Sequence, residues 1–177
     1  MLPSMTAAEP LSYDERGWLQ GQCTPLGLDQ AILVFIPTAP VRLHSFDLLN
    51  AARLWGASLS VSPEKHYPSG AVPLADLARF AWSGTAGQGA AMVRTFPAER
   101  APTLVAGGLR SAEAMGGQGM DALVKRCCSL VQISEYADLN AGLFAAALFA
   151  RALLGPIRLP FGKELLGVKS ARERLGI

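Results

Sequence analysis

At 177 residues, half of them hydrophobic and 17% charged, the chain has the composition of one folded domain with a full core, not of a disordered polypeptide. A formal charge of +2 is too small to imply nucleic acid from bulk charge, so any basic surface has to be a local patch. Cys23, Cys127 and Cys128 are a poor disulfide framework and match no zinc spacing, which points to a reducing compartment and no metal.

Residues 1–28 carry Pro3, Pro10 and Pro25 without a sustained period and read as an extension, in which Tyr13 to Gln20 form a helical turn or two that docks Trp18 on the body. The start lacks a basic region followed by an apolar one, so no signal peptide is expected. Ala31 to Pro37 (AILVFIP) is an uninterrupted apolar strand of the kind found in parallel sheets. Ser45 is placed to cap a helix over Phe46 to Trp55, with Gly56 as its stop and Asp47 near its positive end. Ala57 to Val61 alternates and reads as a second strand, completing a right-handed βαβ unit.

Pro73 suits the first position of a helix over PLADLARFAW, and Ala91 to Phe96 reads as a third strand. Thr103 to Ala106 (TLVA) is expected as a fourth strand ending in Gly107-Gly108. A Gly/Ala-rich loop with Arg110 and Glu113 as its only charges follows, then a short helix over Met120 to Cys127. Leu130, Val131 and Ile133 mark a fifth strand. After the turn Glu135–Asp138, Leu139 to Leu154 is a helix without proline or β-branched residues and apolar on every face. The run Ala141 to Ala150 is about half the length needed to cross a bilayer, so a soluble, cytoplasmic protein with no membrane contact is expected. The tail 156–177 has five basic residues against two acids and is expected to be helical. The expected fold is therefore α/β over residues 29–155, a mostly parallel sheet of five or six strands with helices on both faces.

No Walker A loop and no G-x-S-x-G elbow is present, and His44 and His66 lack a sequence partner for a triad. In an open parallel sheet, ligands gather at the carboxyl ends of strands, which draws attention to Gly107-Gly108 and to the turn after Ile133.

The order of these pieces resembles the SPOUT methyltransferases, in particular the TrmH-like RNA 2′-O-ribose methyltransferases. The third motif of that family matches Ile133-Ser134 through Leu139-Asn140-Ala141. The second matches Leu104-Val105-Ala106-Gly107 and continues to Gly116-Gly117, and the first matches Pro37 to Gly56. The chain departs from the pattern: His44, Phe46 and Asn50 stand where the family has Asn, Gly and its catalytic Arg, Ser134 replaces Pro, and the second-motif Glu is absent. The resemblance implies a C-terminal trefoil knot and a pocket for S-adenosylmethionine made by Gly107, Gly108, Ile133, Ser134, Asp138, Leu139 and Asn140. Arg42, Asn50 and Arg53 are then the weak candidates for the catalytic role. It further implies RNA (tRNA or rRNA) held by Arg42, Arg53 and the basic tail, and a homodimer through Leu139–Leu154. Two alternatives stand beside methyl transfer: a SPOUT-like RNA- or ribosome-binding structural protein without activity, and an unrelated doubly wound domain that binds a nucleotide or small metabolite.

Overall fold

A computed structural model describes residues 24–40, 43–62, 77–115 and 119–177. Its elements, in chain order, are β1 (Ile32–Ile36), α1 (Ser45–Leu54), β2 (Ala57–Ser62), β3 (Leu77–Gly84), β4 (Gly87–Pro97), a 3-10 turn (Ala98–Arg100), α2 (Pro102–Met115), α3 (Met120–Lys125), β5 (Ser129–Ser134), α4 (Leu139–Leu153), β6 (Ile157–Arg158), β7 (Leu165–Leu166) and α5 (Val168–Leu175). The strands form one seven-stranded sheet in the order β2-β3-β4-β5-β1-β6-β7, and every neighbouring pair is antiparallel.

This corrects the expected fold class. The sheet is not mostly parallel, and the parallel scaffold on which a trefoil knot was expected is not there. β1 reads as a parallel strand because it is uninterruptedly apolar, but that pattern reports burial on both faces and not direction. β1 lies between β5 and β6 with all five residues buried. The β1-α1-β2 crossover does form, and β2 runs in the direction of β1, yet β5, β4 and β3 separate the two.

Two further elements differ from expectation. Within PLADLARFAW, the described part from Leu77 is a strand: Phe80 and Trp82 are buried, Arg79, Ala81 and Ser83 exposed, a period of two. Gly84 and Gly87 pair across the loop Thr85-Ala86 and close a β3–β4 hairpin. TLVA is not a strand but the first turns of α2, which runs through Gly107 and Gly108 to Met115. The tail contributes the short β6–β7 hairpin to the sheet edge before α5.

Side chains alternate between two cores. On one face Ile32, Val34, Ile36, Val131, Ile133, Phe80 and Trp82 meet α1, α4 and α5; on the other Leu33, Phe35, Phe96 and Leu130 meet α2 and α3. α4 is buried from Ala141 to Ala150 without interruption. The sheet lies beneath it, with Phe144 stacked on Trp82 (centroids 3.9 Å) and Phe149 on Phe80 (5.6 Å). α1 and α5 flank it, and Trp55 meets Phe144 edge-on while the Arg172 guanidinium lies 5.6 Å from the Trp55 ring centre. A single chain thus covers this helix on every side, so its all-round apolarity requires no partner molecule.

Candidate functional site

The segment before β1 is held onto the α2 face of the sheet by side chains far away in sequence. Gln132, fully buried in β5, accepts the Leu26 N–H at 2.7 Å and donates to the Leu26 carbonyl at 2.9 Å, standing in for a strand partner. The Gly27 N–H donates to Gln30 Oε1 at 2.7 Å. Arg158, buried in β6, donates from Nη1 to the Leu28 carbonyl (3.1 Å), from Nη2 to Asp29 Oδ1 (3.1 Å) and from Nε to Ser111 Oγ on α2 (3.3 Å). Asp29 Oδ1 also accepts the Phe161 N–H at 2.7 Å. That bond, aided by the Arg158 guanidinium and opposed by desolvation, holds the Asp29 carboxyl below the usual carboxylate range. Three backbone positions in a row, Leu26 to Leu28, and the Asp29 carboxylate after them are therefore fixed by polar groups from β1's own approach, β5, β6 and the β6–β7 loop.

The fixed segment forms one wall of a groove of about 410 Å³. Pro25 to Leu28 face the 3-10 turn and the first turn of α2, Arg100 to Leu104, with Arg110 further along the helix. Ala101 and Leu104 are buried and give the groove an apolar floor, whereas Arg100 and Arg110 are exposed. Pro102 begins α2, where a missing N–H costs nothing, and the positive end of the helix dipole adds to the two guanidinium charges. No acidic side chain is among the described residues lining the groove, and neither is a histidine or cysteine; Thr103 supplies the one hydroxyl. A volume of this size admits a small molecule or a short stretch of chain.

The residues expected to hold S-adenosylmethionine do not gather here or elsewhere. Gly107 and Gly108 are interior positions of α2. A Cβ on Gly108 would come within 2.4 Å of Phe35 Cζ in β1, and one on Gly107 within 2.6 Å of Leu28 Cδ1, so Gly108 serves close approach of the helix to the sheet and Gly107 close approach to the segment before β1. Ile133 and Ser134 end β5; Ile133 points into the opposite core, and the Ser134 hydroxyl accepts from Arg94 Nη1 at 3.2 Å. Asp138 caps α4, its Oδ1 accepting the Ala141 N–H at 2.9 Å, with Leu139 and Asn140 exposed in the first turn. α4 belongs to the face opposite α2, so the sheet itself stands between the glycines and this turn. Asn50 and Arg53 lie on α1, which packs on the α4 face of the sheet, and Arg42 lies outside the described residues, as do His66, Cys23 and the Trp18 segment.

Arg100, Pro25 and the Gln132 clasp escape sequence reading because they meet only in three dimensions: Leu26 and Gln132 are 106 positions apart. The one available signal is Arg110, conspicuous as a charge in a Gly/Ala-rich run.

Among the described residues, no helix is long and apolar enough to cross a membrane and no group of His, Cys, Asp and Glu is arranged to hold a metal ion. Comparison with protein-family models, curated proteins and solved structures yields no match to this chain.

Proposed function

We propose that this protein is a binding protein whose groove beside α2 takes a small ligand with an anionic head and an apolar body. One observation carries the reading: Arg100, Arg110 and the α2 N-terminus surround an apolar floor of Ala101, Leu104 and Leu28, with no acid among the described lining residues. Guanidinium groups pair with carboxylate, phosphate or sulfonate in a two-pronged geometry, and the floor contributes area that a bare inorganic anion does not use. Among the described lining residues Thr103 carries the one hydroxyl, and the two guanidinium groups are suited to recognising an anion.

Isothermal titration tests the proposal with four probes: a fluorescent arylsulfonate, inorganic phosphate, a short single-stranded RNA and S-adenosylmethionine. The arylsulfonate binds once per chain and more tightly than phosphate, and added salt weakens it, since the attraction is partly between exposed charges. Heat from RNA alone would instead restore the expected polyanion partner. Heat from S-adenosylmethionine alone would restore methyl transfer as the function to pursue.

A further inference from the structure

We infer that β2 and α1 together form a two-fold interface on which a second copy of this chain docks. β2 is the last strand at one end of the described sheet, so one rail of its backbone N–H and C=O groups has no partner strand there. Edge strands in natural proteins are guarded by charge, proline, a bulge or shortness. β7, at the other end, is guarded by being two residues long. Among the described residues, β2 has none of these guards. It is six residues, Ala-Ser-Leu-Ser-Val-Ser, without charge or proline, and it pairs with β3 in unbroken register from Ala57↔Gly84 to Ser62↔Arg79.

The helix alongside supplies an independent sign. α1 packs along β2 and α4, burying Leu48, Ala51 and Ala52. Yet Phe46 and Leu54 are 62% and 71% exposed. Phe46, Asn50 and Leu54 follow one another at four-residue spacing and so share one side of the helix.

Symmetry identifies the occupant. Phe46 and Leu54 are equidistant in sequence from Asn50, and so are the exposed Asp47 and Arg53. A second α1 crossing antiparallel at Asn50 places Phe46 of one copy against Leu54 of the other, and the acid of each near the base of the other. The strand obeys the same symmetry: being uncharged, it opposes no like charges when paired with itself. Antiparallel pairing centred on Leu59, with Ala57 opposite Val61, keeps Ala57, Leu59 and Val61 on the helix side in both copies, continuing the same core face. The two centres are also level. Asn50 lies about 6 Å along the helix from Leu54, and Leu59 lies about 7 Å along the strand from Ala57. One axis therefore serves helix and strand together.

Sedimentation equilibrium on the full chain tests this. A species of twice 18.7 kDa is expected. Phe46→Glu and Leu54→Lys, each at an exposed position that folding does not need, should each weaken self-association by at least about tenfold. The double variant should regain most of it, because the new acid of one copy meets the new base of the other; circular dichroism verifies that all three are folded. A wild-type mass of 18.7 kDa at every concentration, a dimer indifferent to both single changes, or a double variant no better than the singles overturns the proposal.

Discussion

Arg158 Nη2 donates to Asp29 Oδ1 at 3.1 Å, joining the second-last strand of the sheet to the segment that leads into the first. The Arg158 side chain is 7% exposed and Asp29 35%, so the pair is unequal. Removing the guanidinium strands a half-buried carboxylate together with the Leu28 carbonyl and the Ser111 hydroxyl. Removing the carboxylate charge leaves the guanidinium three other acceptors, the Leu28 and Leu159 carbonyls and Ser111 Oγ. Arg158→Ala should therefore cost roughly 3 kcal/mol in urea unfolding, and Asp29→Asn about 1 kcal/mol. Equal losses would mean that the ion pair, not the backbone bonds to Arg158, dominates.

The same pair sets an acid limb of stability. Asp29 is held low in the folded chain by the Phe161 N–H and Arg158, so folding favours its ionised form. The contribution is present above its unfolded value of about 3.9 and is lost as pH falls through the lower folded value. Urea midpoints followed downward from about pH 5 should drop less steeply for Asp29→Asn than for wild type. Parallel curves would show that Asp29 does not titrate with unfolding.

Adjacent glycines of α2 should respond differently to the same change. Alanine gains about 1 kcal/mol over glycine in a helix interior. At Gly108 its Cβ meets Phe35, fully buried, at 2.4 Å, and overpacking of that kind costs roughly 1–3 kcal/mol. At Gly107 the nearest atom is the end of the Leu28 side chain, half-buried at the groove, which has room to turn. Gly108→Ala should thus lower the thermal midpoint, while Gly107→Ala should leave it level or raise it and shift Leu28 into the groove. The reverse ranking would contradict the close approach of α2 to β1.

Cys127 and Cys128 are neighbours with opposite environments. Burial pushes the Cys127 thiol up to about 12, and its Sγ donates to the Ser129 carbonyl at 3.0 Å; Cys128 is exposed. In a Cys23→Ser background, iodoacetamide near neutral pH should alkylate Cys128 and spare Cys127. Because folding keeps Cys127 protonated, its share of stability is intact below the unfolded thiol value and declines as pH rises from there toward 12. Rapid modification of Cys127 in the folded chain would place it outside the core.

Burial was legible in this sequence, and strand direction was not. β1 and α4 stand out because their apolar runs are unbroken, and β5 because Leu130, Val131 and Ile133 fall close together; all three are central elements. An unbroken run reports cover on both sides, which an antiparallel sheet between two helical layers provides as fully as a parallel one. TLVA followed by two glycines has strand-like residues and a terminator, yet it is helix: the Gly107 and Gly108 surfaces fit Leu28 and Phe35, a tertiary gain that outweighs propensity. Leu77 and Phe80 have helical spacing, but the hairpin with β4 imposes the strand. Asp138 was visible as a notable residue in the turn before α4, and the structure shows it capping that helix. The groove was illegible because its walls are joined by the buried Gln132 and Arg158, whose partners only the fold reveals.

The most direct measurement is fluorescence titration of the arylsulfonate against wild type, the Arg100→Gln/Arg110→Gln double variant and Gln132→Leu. The two arginines supply charge at the groove, and Gln132 supplies only the clasp that holds Leu26 in its wall. Wild type should bind one probe per chain. Loss of both arginines should weaken it by about a hundredfold, near 3 kcal/mol for two charge-assisted contacts. Gln132→Leu should weaken it while both charges remain. Equal affinity across all three proteins would place the binding surface elsewhere and contradict the account.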